Sequence, residues 1–388
     1  INTSGVALPF FYTPVRTRNY LATLAWYHTF TPSLTNELRL GFNRQNQNFP
    51  IGDYSFPGLD QFPNLAFDNL QLQLGPNTTF PQYNTSNMYQ GLDNVSWTRG
   101  SHSFKAGTEL RRYISPSVFT QRSRGDYHYS TVENYLIDKT PNVIAERGLG
   151  NVVYYGDQIA SYSYFQDSWR ARPNLTINLG ARYEYTTIPQ SERLQSVNAL
   201  ASVPGLIEFK TPQAQKNAIA PRVGLAYTPG SDQNTVIRAG FGMAYDVLFD
   251  NIGTVSLPPQ FSTTLNVTNG VTPPGGFLAA GGILPNAATG SLTVAQARRL
   301  TSGYIPDQVL PYTINYNFEI EHVFAKDHTL SVRYLGTQGV HLPTQVQINR
   351  VPKIDSSTYL PTYLAMPSAA TLAGLPVTLG DVQARSNL

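Results

Sequence analysis

The sequence predicts an all-β chain, an antiparallel transmembrane β-barrel with short turns at one end and long loops at the other. Three observations predict it. Apolar residues alternate with polar ones at period two through many segments. Charged residues supply only 13% of 388 positions beside 24 Tyr and 19 Phe, too little charge to cover a soluble surface of this size. No apolar run reaches the roughly 18 residues that a membrane helix needs, so any crossing is made by strands.

The clearest strand is 175–185. Leu175, Ile177, Leu179, Ala181, Tyr183 and Tyr185 point one way, and Thr176, Asn178, Gly180, Arg182 and Glu184 the other. The same alternation runs through 37–43, 104–111, 222–227, 237–245, 316–321 and 330–334. Each run is about ten residues, enough for a tilted strand to cross the hydrocarbon layer. The segments 89–97 and 157–169 read as strands whose faces the pattern does not separate.

The connections alternate in length. Five are short and built from turn formers: 31–34, 99–102, 172–174, 229–232 and 325–328. Between them lie long segments, 46–85, 115–156, 186–219 and 246–310. A soluble sandwich has no reason to segregate loop lengths; an outer-membrane barrel has short periplasmic turns and long extracellular loops. The Pro- and Gly-rich stretch 271–282 is nearly low-complexity and is expected to be mobile. Short helices are predicted at 132–137 and at 294–300, the latter with Thr293 as N-cap.

Little in the composition points to catalysis. There is no Cys, and the six His lack metal-ligand spacing. Asp246 and Asp250 are a weak calcium candidate, better explained by loop polarity. No nucleophile elbow is present, and Glu319 and Glu321, on one face of a strand, read as wall carboxylates with salt-bridge partners. No cofactor, metal or catalytic residue is assigned. A net charge of +3 is too small to argue for nucleic acid, and the densest basic spot, Arg122 to Arg124, reads as a solvated loop.

The alternation assigns Arg39, Lys105, Glu109, Arg111, Arg182, Glu184, Arg222, Arg238, Glu319, Glu321 and Arg333 to an inward wall. Facing lipid, an Arg or Lys costs about 2–4 kcal/mol at mid-membrane. Such a wall guides a solute, contacts a plug, or forms a salt-bridge lattice. Trp26, Tyr27, Trp97, Trp169, Tyr183 and Tyr185 are the candidates for aromatic girdles at the two interfaces.

Several segments resemble a known family. Asp167-Ser168-Trp169-Arg170 followed by PNLTINLGARYE (173–184) resembles a hairpin of TonB-dependent outer-membrane receptors. APRVGLAY (220–227), TVIRAGFGMAYD (235–246), YLGTQGVHL (334–342) and WTRGSHSFKAG (97–107) are similar to hairpins of the Oar-like branch. These matches lie in order between about 19 and 349, within one barrel segment taken as 1–388. The resemblance implies a barrel of about 22 strands, of which about ten or more are found here. It also implies an N-terminal plug and a TonB contact, and no plug, TonB box or N-terminal regulatory-like domain is recognised. The expectation is therefore a fragment of a longer barrel. The expected function is uptake of a bulky solute, of siderophore or oligosaccharide class, across the Gram-negative outer membrane. Its expected partners are outer-membrane lipid, the parent chain's plug, TonB through the missing N-terminal region, and the solute. A surface adhesion or structural barrel and a passive porin are the alternatives.

Overall fold

A computed structural model describes residues 8–149, 153–189, 213–231, 234–247, 261–264, 270–284, 309–324, 328–344 and 368–373, with backbone alone at 149, 261–264 and 371–372. The chain falls into two units, 1–343 and 344–388. In the second, the described residues include one short helix, Ala369–Ala373.

The first unit is built from hairpins. The first pairs β1 (Arg16–Thr31) with β2 (Leu34–Phe49). The long segment after it carries β3 (Asn64–Phe67) and β4 (Leu72–Leu74). The second hairpin is β5 (Gln82–Arg99) and β6 (His102–Ile114). The next long segment holds β7 (Pro116–Phe119), β8 (Asp126–Tyr129), helix α1 (Val132–Leu136), β9 (Ile144–Leu149) and β10 (Val153–Tyr155). Then come β11 (Gln158–Arg172) with β12 (Leu175–Thr186), and β13 (Ala218–Tyr227) with β14 (Thr235–Tyr245). Strand β15 (Phe261–Thr264) precedes the last hairpin, β16 (Tyr312–Phe324) with β17 (His328–Val340).

Ten long strands form one antiparallel meander, β1-β2-β5-β6-β11-β12-β13-β14-β16-β17; β7, which pairs with β5, and β10, which pairs with β7, complete a 12-stranded sheet. Two-residue turns close three of the hairpins: Pro32-Ser33, Gly100-Ser101 and Pro173-Asn174. Gly100 takes φ +61°, which a side chain would resist. Parts of the other two predicted turns, 232–233 and 325–327, lie outside the described residues. The strands run 10–18 residues, longer than the alternating cores read from the sequence, because their polar outer halves extend beyond the apolar band. The sheet is open among the described residues: β1 and β17 are its ends.

The long segments are not structureless. Strands from three of them form a second sheet, β15-β9-β8-β3-β4, with β3 and β8 parallel. Leu65, Phe67, Tyr127, Tyr129, Ala145, Phe277 and Ile283 make its core, with Tyr135 of α1 packed against them. This corrects two expectations. The stretch 271–282 was expected to be mobile, yet Phe277 is buried in that core, and the amides of Leu278 and Ala279 donate to the Asp138 carboxylate at 2.7 and 3.0 Å. Its glycines supply positive φ at 275, 276, 281 and 282, so the composition encodes a tight path rather than a loose one. Arg124 was read as solvated, yet it is buried. It donates to the carbonyls of Phe62 (3.1 Å), Asn77 (3.0 Å) and Phe80. The helix predicted at 132–137 is α1; that at 294–300, and Asp250, lie outside the described residues.

Candidate functional site

Direct cross-strand partners share a face of a sheet. The registers link Arg39 to Leu92, Leu92 to Glu109, Glu109 to Tyr162 and Tyr162 to Glu184. A second row links Lys105, Gln166, Gly180, Arg222, Gly242 and Asn315. A third links Arg238, Glu319 and Arg333. With the period of two, these rows place Arg39, Lys105, Glu109, Arg111, Arg182, Glu184, Arg222, Arg238, Glu319, Glu321 and Arg333 on one face.

The opposite face presents Leu24, Leu40, Leu110, Phe165, Leu179, Val223, Phe241, Phe318, Ile320, Leu330 and Val332, all exposed. Trp26, Trp97, Trp169, Tyr183 and Tyr185 lie on this apolar face. Trp97 and Trp169 sit close to the turn ends of β5 and β11, whereas Tyr183 and Tyr185 sit at the far end of β12. Tyr27 is a correction: its register partner is Glu37, it lies on the polar face, and its hydroxyl accepts from Arg39 Nη2 at 2.9 Å. An odd-numbered neighbour of Trp26 has to face the other way.

Most of the polar face is a lattice. Arg39 pairs with Glu37. Arg111 Nε donates to Glu109 Oε1 at 2.5 Å, and Gln90 Nε2 donates to the same oxygen at 2.6 Å. Arg182 Nε donates to Glu184 Oε1 at 3.1 Å. The guanidinium carbons of Arg111 and Arg182 lie 5.3 and 4.7 Å from the centre of the buried Tyr162 ring. Glu319 accepts from Arg333 at 2.7 Å and Ser331 at 2.8 Å, and Arg238 lies 3.6 Å from Glu319 and 3.3 Å from Glu321.

That lattice uses nine of the eleven predicted wall residues. Lys105 and Arg222 make no ion pair among the described residues, and both are exposed. Hollows flank Arg222 in its own row. One, of about 380 Å³, lies over Gly180 and is walled by Tyr164, Gln166, Asn178, Arg182 and Arg222. The other, of about 350 Å³, lies over Gly242 beside Gly240, Asn315 and Asn317. Both exist because glycine leaves the wall bare where its neighbours project. Sequence reading missed Gln166, Asn178, Asn315 and Asn317; their polar parity was visible, but uncharged residues drew no attention. Among the described residues no group of three or more His, Asp or Glu gathers in metal-binding fashion.

A meander with one ionic face, one exposed apolar face and aromatic residues near both strand ends is the wall of a membrane β-barrel. The chain belongs to the outer membrane beta barrel domain family, whose model matches residues 2–387. It is a protein of the Gram-negative outer membrane. No curated protein matches it. Among solved structures it is similar to the outer membrane transporter YddB from Escherichia coli, at 13% identity and a TM-score of 0.46, covering 83% of this chain and 34% of that one. The copper transporter OprC is similar at 10% identity and TM-score 0.43, with 84% and 39% covered. The ferric-catecholate import receptor Fiu from K12 E. coli is similar at 12% and 0.40, with 83% and 41% covered. The chain thus spans between a third and just over two fifths of these structures.

Proposed function

We propose that this chain is part of the wall of an Oar-like, TonB-dependent outer-membrane receptor that imports a bulky solute of siderophore or oligosaccharide class without covalent chemistry. The observation that carries this reading is the polar face. Nine of the eleven predicted wall charges are ion-paired; Lys105 and Arg222 are not, among the described residues, and they share a row with two glycine-floored hollows. A lattice stiffens a wall; Arg222, which lines both hollows with Asn and Gln around it, supplies donors to something that passes or rests there. In this reading the parent chain's plug and the solute are the groups that meet the polar face. Further strands complete the ring, because a strand edge left open in hydrocarbon costs several kcal/mol for each unsatisfied backbone group.

The test is uptake of labelled candidate siderophores and oligosaccharides by cells carrying the full-length gene, with and without TonB. Uptake that needs TonB is expected. The Gly242→Leu variant, whose Cβ meets Arg222 Cγ at an ordinary 3.7 Å, is expected to assemble normally and to lower uptake by filling a hollow. TonB-independent flux with measurable single-channel conductance would identify a porin instead. Loss of surface attachment with no solute imported would identify an adhesion barrel.

A further inference from the structure

Within the apolar band, one stretch of the lipid-facing side is polar. Outward positions of β5, β6 and β11 set Asp93, Thr108 and Ser163 side by side in one row, with Asn36 of β2 on the diagonal from Asp93. Gly91 and Ala106 stand in the outward rows on either side of it. The neighbouring wall differs. Outward positions of β12, β13, β14, β16 and β17 across 177–183, 219–225, 237–243, 314–320 and 330–336 hold no Ser, Thr, Asn, Gln or charged residue.

Counting along β5 fixes the depth of this seam. Trp97, near the turn, is four residues from Asp93 on the same strand. At about 3.4 Å per residue and a tilt of about 40°, Asp93 lies roughly 10 Å inside a band about 25 Å tall. Asp93 and Thr108 are exposed there. Asp93 Oδ1 accepts from Asn36 Nδ2 at 2.5 Å, and no hydrogen bond reaches Oδ2 among the described residues. The Thr108 and Ser163 hydroxyls meet at 3.1 Å, and Thr108 Oγ1 lies 3.3 Å from the Tyr162 carbonyl. On β2, β5, β6 and β11 the row of Asp93 and the rows flanking it hold no cation. A carboxyl or hydroxyl oxygen facing acyl chains finds no substitute for the water it has lost.

Another protein surface supplies what lipid does not, and the seam is complementary to itself. A carboxylate only accepts, whereas hydroxyls also donate, so Asp93 of one copy finds donors in Thr108 and Ser163 of another. Two copies inserted in the same sense are related by a twofold axis along the membrane normal. That axis keeps every residue at its own depth, so the polar level of one wall meets the polar level of the other. Gly91 and Ala106 let the two walls approach closely, as small residues do between membrane-embedded helices. We infer that Asp93, Thr108 and Ser163, on the outward face of β5, β6 and β11, form the contact through which two copies of this protein associate within the membrane. The contact is independent of what the lumen carries.

The experiment reconstitutes the fluorescently labelled full-length protein into phospholipid bilayers and counts copies by single-molecule photobleaching over a range of protein-to-lipid ratios. Wild type is expected to dimerise. A variant carrying Asp93→Leu, Thr108→Leu and Ser163→Leu is expected to dimerise about tenfold more weakly, at roughly threefold for each of two interfacial hydrogen bonds. A wild type that stays monomeric at every ratio overturns the assignment. So does a variant that dimerises as strongly as wild type, with folding verified by heat-modifiable gel migration. Should the triple variant not fold, cross-linking in native membranes decides, with single cysteines in a background lacking others. Ser163→Cys is expected to cross-link to its own counterpart, and Val332→Cys, outward on β17, is not. Equal cross-linking at both sites, or at neither, overturns the assignment. Capture of a different protein alone by Ser163→Cys would identify another partner and overturns it as well.

Discussion

Tyr162 shows how single residues settle what alternation alone leaves open. Its ring is buried between Arg111 and Arg182, each of which also holds a carboxylate. The aromatic face spreads two like charges apart while attracting both. Tyr162→Leu is expected to cost about 1–2 kcal/mol from the two cation–π contacts, and Tyr162→Phe to retain the greater part of that stability, both measured by urea unfolding from bilayers. A Leu variant as stable as wild type would mean that the carboxylates alone organise the arginines. The sequence pattern was silent here for a physical reason. Strand 157–169 puts Tyr162 and Tyr164 on the ionic face and Ser161, Ser163 and Asp167 on the apolar one, so hydrophobicity does not sort its faces. Outward polar groups satisfy one another instead: Thr108 and Ser163 hydroxyls meet at 3.1 Å, His102 Nδ1 lies 2.7 Å from Asp167 Oδ2, and Asn36 Nδ2 donates to Asp93 Oδ1 at 2.5 Å. Where alternation was clean, as in 175–185, the faces were legible outright; the Tyr162 ring against which Arg182 lies was not, because it comes from the neighbouring strand.

At the scale of elements, the loop-borne sheet is the part least visible beforehand. Its strands are three to six residues long, too short for a periodic signal, and they pair across segments far apart in sequence. Two buried arginines tie those segments together. Arg124 binds carbonyls at 62, 77 and 80, and Arg147 donates to Ser123 O at 2.9 Å and Ile283 O at 2.7 Å. Burial, with Arg147's charge nearby, pushes Arg124 down to about 10, so it remains a cation at neutral pH. Arg124→Ala removes a donor from three carbonyls, of which that of Asn77 keeps the Phe80 amide at 3.2 Å, and is expected to cost about 1–3 kcal/mol for each of the other two. The expected result is faster amide exchange at 64–67 and 126–129 with the long strands unchanged, and unchanged exchange in the loop sheet would remove Arg124 from this role. His128 adds a pH dependence. Its hydrogen bond to Asp126, at 2.9 Å, raises its pKa against the opposing effect of burial. A raised folded pKa stabilises below the ordinary value near 6.5 and loses that stability as pH rises through the folded value. Protection of the β8 amides, corrected for intrinsic exchange, is expected to fall from pH 6 upward through neutrality and to flatten in His128→Asn; a flat wild-type profile would exclude the pair.

At the scale of the whole molecule, the sheet's two sides have to meet different media, and this can be tested where they are separated by one residue. Connection lengths alone revealed the meander, because a short turn forces neighbouring strands to pair. They did not reveal whether the sheet closes, since closure depends on partners for β1 and β17. The sidedness follows from energetics. Asn317 and Phe318 are consecutive in β16, near mid-height, with Asn317 opposite Gly240 and Phe318 opposite Ala239. Phe318 is exposed on the apolar face, and an arginine there meets acyl chains at about 2–4 kcal/mol. One at Asn317 projects into the hollow over Gly242, among polar neighbours, and is expected to cost under about 1 kcal/mol, as a substitution that buries no charge in hydrocarbon. Urea unfolding of full-length Phe318→Arg and Asn317→Arg from phospholipid bilayers measures both. Equal penalties, or a larger one at Asn317, would require water on the Leu-, Phe- and Val-rich side, and the assignment of lipid to that side would then be untenable.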